Sequence, residues 1–261
     1  MTRPDKPAVL SKRLKTLDDM VTAGKRVADV GCDHGFLDIY LLQSGRASGA
    51  IAMDVRKGPL SAAAQHIREA GLGAAIEIRL SDGLENYRVG EAEVLVCAGM
   101  GGPLMQRILS EDPEKTESFQ ELILQPQSEL REFRMFLREA GYIVLDEEIV
   151  FEDGKYYFPM RVRPCHGIKP EPLQKENLTE EDRILREIFD RYGGALVRRR
   201  EPVLMQYLDQ QNRILEDILE KLRTLDPGDE RRKQRFEEVA AEREILREAV
   251  RRMKKNSTLS D

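Results

Sequence analysis

The chain has no tryptophan, three cysteines and three histidines, and aromatic residues make up only 6% of it. Cys32, Cys97 and Cys165 lie far apart without CxxC spacing, which excludes a disulfide framework and a zinc site and leaves reduced thiols. His34, His66 and His166 show no ligand spacing, so no bound metal is expected. No apolar run approaches the roughly 18 residues of a membrane span. The opening "MTRPDKPAVLSKRLK" also lacks the apolar core of a signal peptide. A cytoplasmic protein without membrane contact is expected. The GxGxxG fingerprint is missing too, which argues against hydride chemistry on a dinucleotide. What remains is a charge-rich chain of 261 residues, 34% charged, with a net charge of −5. That balance excludes a uniformly basic coat but leaves room for a local basic face.

The first 165 residues alternate between strand-like and helical stretches. Strands are expected at 26–31, 49–54, 75–80, 92–99 and 121–126, with helices over about 10–22, 35–43, 58–71, 103–110 and 128–140. This rhythm predicts an α/β fold with a mostly parallel sheet. The stretch 142–164 reads as two further strands joined through Asp153-Gly154, a hairpin signal. A parallel sheet closed by an antiparallel hairpin is the shape of the Rossmann-like class I methyltransferases. "PCHGIKPEP", 164–172, reads as a linker. Beyond it Leu204, Leu208, Gln211, Leu215, Ile218, Leu222 and Leu225 form a stripe, broken by "DPGD" at 226–229. A similar stripe resumes at Phe236, Val239, Arg243, Leu246, Val250 and Met253. This pattern predicts a C-terminal α-helical antiparallel coiled coil. The expected domains are 1–165 and 166–261.

Ligands of open α/β sheets sit beyond the carboxyl ends of the strands. "VADVGCDHGF" carries Asp29, Gly31 and Gly35 in a DxGxxxG turn, whose exposed N–H groups and missing Cβ atoms would admit a ligand closely. Asp54 ends the second strand, about 20 residues on, where an acid suits both ribose hydroxyls. It could also cap the helix opened by Lys57-Gly58-Pro59. Asp82, with Gly83, suits an adenine amine or a plain Asp-Gly turn. Jointly these acids suit S-adenosylmethionine, an adenosine-bearing ligand that needs no phosphate cradle. His34 is expected to orient Asp33 or a ligand carboxylate. Phe36 is either a core residue or an exposed stacking ring. Gln125 and Gln127 could line the target pocket, or the stretch is a Pro turn with Ser128 capping a helix. "CAGMGG", at the fourth strand end, has no catalytic side chain. Gly99, Met100 and Gly101 offer backbone and a polarizable wall instead, unless Gly102 merely admits the next helix.

"VADVGCDHGFL", "AIAMDVRKGPL", "SDGL", "AGMGG", "LQPQSELR", "EDGKYY" and "YGGALVRRREPVLMQYL" together resemble the bacterial tRNA (adenine-22-N1)-methyltransferases, in consistent order from about residue 11 to 210. The resemblance implies S-adenosyl-L-methionine as donor, N1 of adenosine 22 of tRNA as acceptor, and a helical appendage that helps hold tRNA. It implies a cofactor site of Asp29, Gly31, Cys32, Asp33, His34, Gly35, Asp54, Val55, Asp82, Gly83 and Gly99. Asp54 stands where many members have Glu, Cys32 and Gly35 where many have Ser and Ala, and Phe36 where many have Tyr.

Adenine N1 carries a free lone pair at neutral pH, so no general base is assigned. Catalysis should rest on approximation and on groups facing the growing positive charge. The base must be extruded from the folded RNA, with phosphate contacts offsetting the cost. Lys12, Arg13, Arg56 and Lys57 could supply those contacts, as could Arg198, Arg199 and Arg200, three charges read as unopposed. The arginines of 231–252 interleave with glutamates and read as a solvated face. A monomer is expected. Another acceptor for the same donor, or a non-catalytic RNA-binding protein on this fold, are the competing readings.

Overall fold

In the computed structural model, residues 11–165, 178–223 and 230–254 are described. The chain divides into two compact units, Met1–Pro172 and Leu173–Asp261. In the first, α1 (Lys12–Met20) leads into β1 (Lys25–Val30), α2 (Phe36–Gln43), β2 (Ala47–Asp54), α3 (Lys57–Glu69) and β3 (Ile76–Leu80). After β4 (Val94–Met100) come α4 (Gly102–Glu111), α5 (Pro113–Glu117), β5 (Glu121–Pro126) and α6 (Leu130–Glu139). Four short strands finish the unit: β6 (Ile143–Glu147), β7 (Val150–Glu152), β8 (Lys155–Tyr157) and β9 (Met160–Arg163).

Seven strands form one sheet in the order β3-β2-β1-β4-β5-β9-β6. β1 pairs in parallel with β2 and β4, β2 with β3, and β4 with β5. Helices cover such a sheet, so its central strands are buried and read as continuous apolar runs, not as alternating ones. Val27, Ala28, Ile51, Ala52, Leu95, Val96 and Ile123 are fully buried. α1 begins on Ser11, whose hydroxyl accepts from the Leu14 N–H at 3.3 Å.

The end of the unit departs from the sequence expectation. Residues 142–164 hold four strands, not two. β9 lies antiparallel between β5 and β6, while β7 and β8 form a separate two-stranded hairpin around Asp153-Gly154. Asp153 and Gly154 both take positive φ (48° and 76°), as a tight hairpin turn requires. The expected turn is therefore real, but it joins the small hairpin and not the sheet strands. Ser128 does not cap α6 either. That helix starts from Glu129 in the left-handed region, without a side-chain cap.

The second unit holds α7 (Glu180–Tyr192), α8 (Gly194–Arg199), α9 (Pro202–Arg223) and α10 (Glu230–Lys254). α7 and α8 were not read from the sequence. Thr179 and Asp182 form a capping box, and Leu185, Ile188, Phe189 and Tyr192 recur at helical spacing, so the signal was present. α9 buries Leu204, Leu208, Leu215 and Leu219, and α10 buries Val239, Leu246, Ala249 and Met253. The α9 seam runs through Leu219, with Ile218 only half-buried. Arg243 Nε donates to Asn212 at 3.1 Å, and Arg223 lies 5.7 Å from the Phe236 ring centroid. Positions that rise along α9 thus meet positions that fall along α10, so the two are antiparallel. The "DPGD" turn and most of the linker, with His166, lie outside the described residues.

Arg134 and Glu147 join α6 to β6 through a buried ion pair at 2.7 Å. Removing one partner of such a pair strands a charge, at a cost of ~3–5 kcal/mol, whereas apolar replacement of both is often neutral. Glu147→Ala is expected to lower the urea midpoint of the first unit markedly. The double variant Arg134→Met/Glu147→Leu should recover most of the loss.

Candidate active site

A cleft of about 830 Å³ opens at the carboxyl ends of β1–β4. That lies inside the range of roughly 300–1,000 Å³ typical of small-molecule sites. Asp29, Gly31, Cys32, Asp33, His34 and Phe36 reach it from β1 and its loop, and Asp54, Val55 and Arg56 from the end of β2. Asp82 and Gly83 line it after β3, Gly99 and Met100 at the end of β4, Gln127 after β5, and Arg13 from α1. Gly35, Gly101, Gln125, Lys12 and Lys57 are not part of its lining, and Arg198–Arg200 belong to the second unit.

The β1 loop turns sharply, with Gly31, Asp33 and Gly35 at φ of 80°, 51° and 72°. Its N–H groups are less available than the sequence suggested. Gly31 and Cys32 both donate to the Met53 carbonyl, at 2.8 and 3.0 Å, and Gly35 donates to Cys32. The missing Cβ atoms also serve the protein. A Cβ on Gly31 would lie 3.0 Å from the Met100 methyl, and one on Gly35 would lie 3.2 Å from Ala63 on α3.

Asp29 and Asp54 are both buried at the floor of the cleft. Burial pushes Asp29 up to about 7; a hydrogen bond with Asp38 and the Arg13 charge oppose that rise, and Asp54 adds to it. Asp54 does not cap α3, which starts from Arg56 without a side-chain cap. One Asp54 oxygen instead accepts the Arg56 N–H at 2.8 Å, an Asx turn that fixes the carboxylate. Burial also raises the Cys32 and Cys97 thiols, which keeps them protonated.

Asp82 is half-exposed and already engaged: Arg107 of α4 donates to it at 2.7 Å. The sequence reading missed Arg107. Its signal was weak, because a lone arginine on an amphipathic helix says nothing of what it faces. Phe36 is 47% exposed and stacks on His66 at 4.7 Å, so it is a surface ring and not a core residue. His34 lies 3.7 Å from Asp33, and its carbonyl meets the His66 ring at 3.0 Å.

Two side chains converge at Gly99, which has φ of 82°. A Cβ there would lie 3.7 Å from both Arg13 Nη1 and Gln127 Nε2. Arg13 also donates to Gln125 at 3.0 Å and sits 5.4 Å from the Tyr157 ring centroid. Gln125 is fully buried, so it anchors Arg13 and does not itself form a pocket wall. Glu152 on the small hairpin accepts the Lys12 and Arg13 N–H groups at 2.5 and 3.3 Å, tying α1 in place. Gly102 has a different reason to be glycine: a Cβ there would lie 2.7 Å from the Ser128 carbonyl oxygen. Gly101 likewise faces Ser128 Oγ at 3.1 Å.

The C-terminal arginines are not unopposed. Arg199 pairs with Glu201 at 3.3 Å, and Arg198 lies 4.9 Å from the Phe189 ring centroid. Among the described residues, no three His, Cys, Asp or Glu side chains gather as a metal set, and no helix is long and apolar enough to cross a membrane.

The methyltransferase-domain family Methyltransf_18 matches residues 10–160. A tRNA (adenine(22)-N(1))-methyltransferase of Bacillus subtilis (strain 168) is 32% identical over 241 residues, spanning 92% of this chain and 97% of that protein. The crystal structure of the B. subtilis M1A22 tRNA methyltransferase TrmK matches at TM-score 0.78 and 30% identity, covering 94% of this chain and 100% of that one. A Streptococcus pneumoniae protein solved in complex with S-adenosyl-L-methionine matches at TM-score 0.76 and 28% identity, covering 93% of this chain and 100% of that one.

The contact at Gly102 sets a test of the loop. Gly102→Ala forces a Cβ against a main-chain oxygen and should destabilise by ~1–3 kcal/mol, read as a lower melting temperature. Gly58→Ala, at a helical glycine whose Cβ would meet nothing within 4 Å beyond its own helix and chain neighbours, should change stability by less than about 1 kcal/mol, the gain in chain stiffness being offset by Pro59 next to it.

Proposed function

The chain belongs to the tRNA (adenine(22)-N(1))-methyltransferase family, and on that premise we propose that its cleft takes S-adenosyl-L-methionine and the target adenosine side by side. The enzyme transfers a methyl group from S-adenosyl-L-methionine to N1 of adenosine 22 in tRNA. One observation carries the reading of the cleft. Asp29, Asp54 and Asp82 stand at the ends of β1, β2 and β3, three neighbouring strands, beside a β4 loop that carries no acid or base. A carboxylate row of that spacing fits the amino group, ribose and adenine of one ligand better than it fits a pyrophosphate.

When bound, S-adenosyl-L-methionine supplies a methyl group already activated on a positively charged sulfur. Asp54, with one oxygen held by the Arg56 N–H, accepts from the ribose hydroxyls. Asp82 accepts from the adenine amine and yields part of its contact with Arg107. Gly31, Cys32, Asp33, His34 and Gly35 shape the loop around the methionine part, with Asp29 beneath it, while Val55 and Gly83 flank the nucleoside.

Adenine N1 has its lone pair free at neutral pH, so no side chain has to remove a proton before attack. Gly99 and Met100 would border the transferred methyl group, with the Met100 thioether as a polarizable wall, while Gly101 lets the loop pass Ser128. Gly99 leaves room where Arg13 and Gln127 converge, and that opening admits the base. The methylated base is cationic, and the carboxylates of the cleft favour the charge as it forms. Freeing a pairing-edge atom costs a few kcal/mol of unstacking. Stacking on Phe36 offsets part of it. Phosphate contacts to Lys12, Arg13, Arg56, Lys57 and Arg198–Arg200 offset the rest. The cleft is complete within one unit of one chain, which supports a working monomer, and free tRNA as substrate supports a cytoplasmic enzyme.

Purified protein with labelled S-adenosyl-L-methionine and unmodified tRNA transcripts is expected to label N1 of adenosine 22. Replacing that base should abolish incorporation, and label on no adenine N1 would overturn the acceptor assignment. Asp54→Ala removes a hydrogen bond to a charged acceptor, so cofactor affinity should fall roughly 10- to 100-fold by calorimetry. Unchanged affinity would refute its ribose role.

A further inference from the structure

Beneath the cofactor loop lies a second acid that neither the fold nor the reaction explains. Asp38, in the first turn of α2, is fully buried, and both of its carboxyl oxygens lack a side-chain or external main-chain donor. The side chain it meets is another carboxylate, Asp29, itself 4% exposed at the cleft floor. Two ionised carboxylates in contact in a dry interior repel strongly, so the pair must hold a proton. Position decides which partner keeps it. Asp29 lines the cleft and can meet a cationic ligand, whereas Asp38 is sealed behind it and gains only its own backbone N–H.

We propose that Asp38 is a positioning residue for cofactor binding: a permanently neutral carboxylic acid, it donates a hydrogen bond to Asp29 and so holds Asp29 as the single carboxylate presented to the cofactor's ammonium group. The proposal rests on the cofactor reading of the cleft. The groups facing Asp29 are consistent with it. Asp54 on β2 disfavours a negative charge on Asp29, Arg13 on α1 favours it, and the Cys32 and Cys97 thiols are kept protonated by burial. Burial drives Asp38 well above the usual carboxylate range, and the Asp29 charge pushes it further the same way.

The sign of the pH dependence follows. Asp29 is held up at about 7, and the ligand cation prefers its ionised form. Above that midpoint affinity is level; below it the ligand must displace a proton, and affinity falls roughly tenfold per pH unit. Asp38→Leu removes the donor, which raises the midpoint and weakens binding at pH 7 by roughly tenfold. Asp38→Asn keeps a neutral donor in the same place and should restore the wild-type profile.

The test measures S-adenosylhomocysteine affinity by calorimetry from pH 5.5 to 8.5 for wild type, Asp38→Leu and Asp38→Asn. S-adenosylhomocysteine carries the ammonium group as its only cation, which keeps the sulfonium out of the comparison. A midpoint that rises in Asp38→Leu and returns in Asp38→Asn supports the proposal. A flat wild-type profile, or one midpoint shared by all three proteins, overturns it. An infrared difference spectrum, wild type minus Asp38→Asn at pH 8, decides the protonation without the leucine variant, should that one not fold. A protonated-carboxyl C=O band supports the proposal, and its absence overturns it. Failure of S-adenosylhomocysteine to bind at any pH overturns the cofactor reading as well, whereas binding without pH dependence overturns only the role of Asp38.

Discussion

β1 is hydrogen-bonded on both sides, to β2 and to β4, and the register of those two ladders sets where Asp29, Asp54 and Met100 stand in the cleft. Asp29 lies opposite Ala52 on one side and Val96 on the other, and Val30 opposite Met53 and Cys97. From that pairing β2 runs one residue further to Asp54, and β4 runs on to Met100. The loops therefore leave the sheet at staggered heights, with the β1 turn lowest and the β4 loop leaning over it. Contact between the Met100 methyl and the position of a Gly31 Cβ follows directly. A one-residue slip in either ladder would turn Asp29 to the opposite face of the sheet and dissolve the site.

Seen from that register, the glycines of "CAGMGG" have two separate causes. Gly102 lies where the main chain of the β5–α6 turn comes closest, and nothing larger fits beside the Ser128 carbonyl. That is a packing requirement between two loops of the protein. Gly99 meets only the ends of two flexible side chains, Arg13 and Gln127, and takes a positive φ that favours glycine. Its opening is the one that faces outward. The two glycines look alike in the sequence and differ because one borders backbone and the other borders side chains that can move.

The parallel sheet was legible from residues 26–126 because buried parallel strands are continuous apolar runs that end in Gly or Asp, a pattern few other arrangements produce. The acids at the strand ends were legible for the same reason, since a strand end is where polarity returns. What the sequence could not carry were partners distant along the chain. Arg107 reaches Asp82 across 25 residues, and Arg13 reaches Gln125 across 112. Nothing local marks either arginine. The finishing strands were misread because Asp153-Gly154 is a strong turn signal, and a strong local signal drew the sheet strands to it. Asp38 was passed over because an acid in the first turn of a helix is ordinarily a solvated, favourable charge. Its burial comes from α2 packing against β2, α1 and α3, which no window around residue 38 displays.

The ion pairs around the cleft bear on how it accepts two ligands. Asp82 is paired with Arg107, and Asp54 and Asp33 lie within 3.5 and 3.8 Å of the Arg56 guanidinium, so none of these carboxylates waits as a bare charge. The Asp82–Arg107 and Asp33–Arg56 pairs are exposed on both sides, where such pairs contribute ~1 kcal/mol or less. A nucleoside that hydrogen-bonds to Asp82 can thus displace Arg107 at small cost. Both arginines line the same cleft as the acids they pair with, so the exposed charges beside the nucleoside acids are held in pairs from within the site.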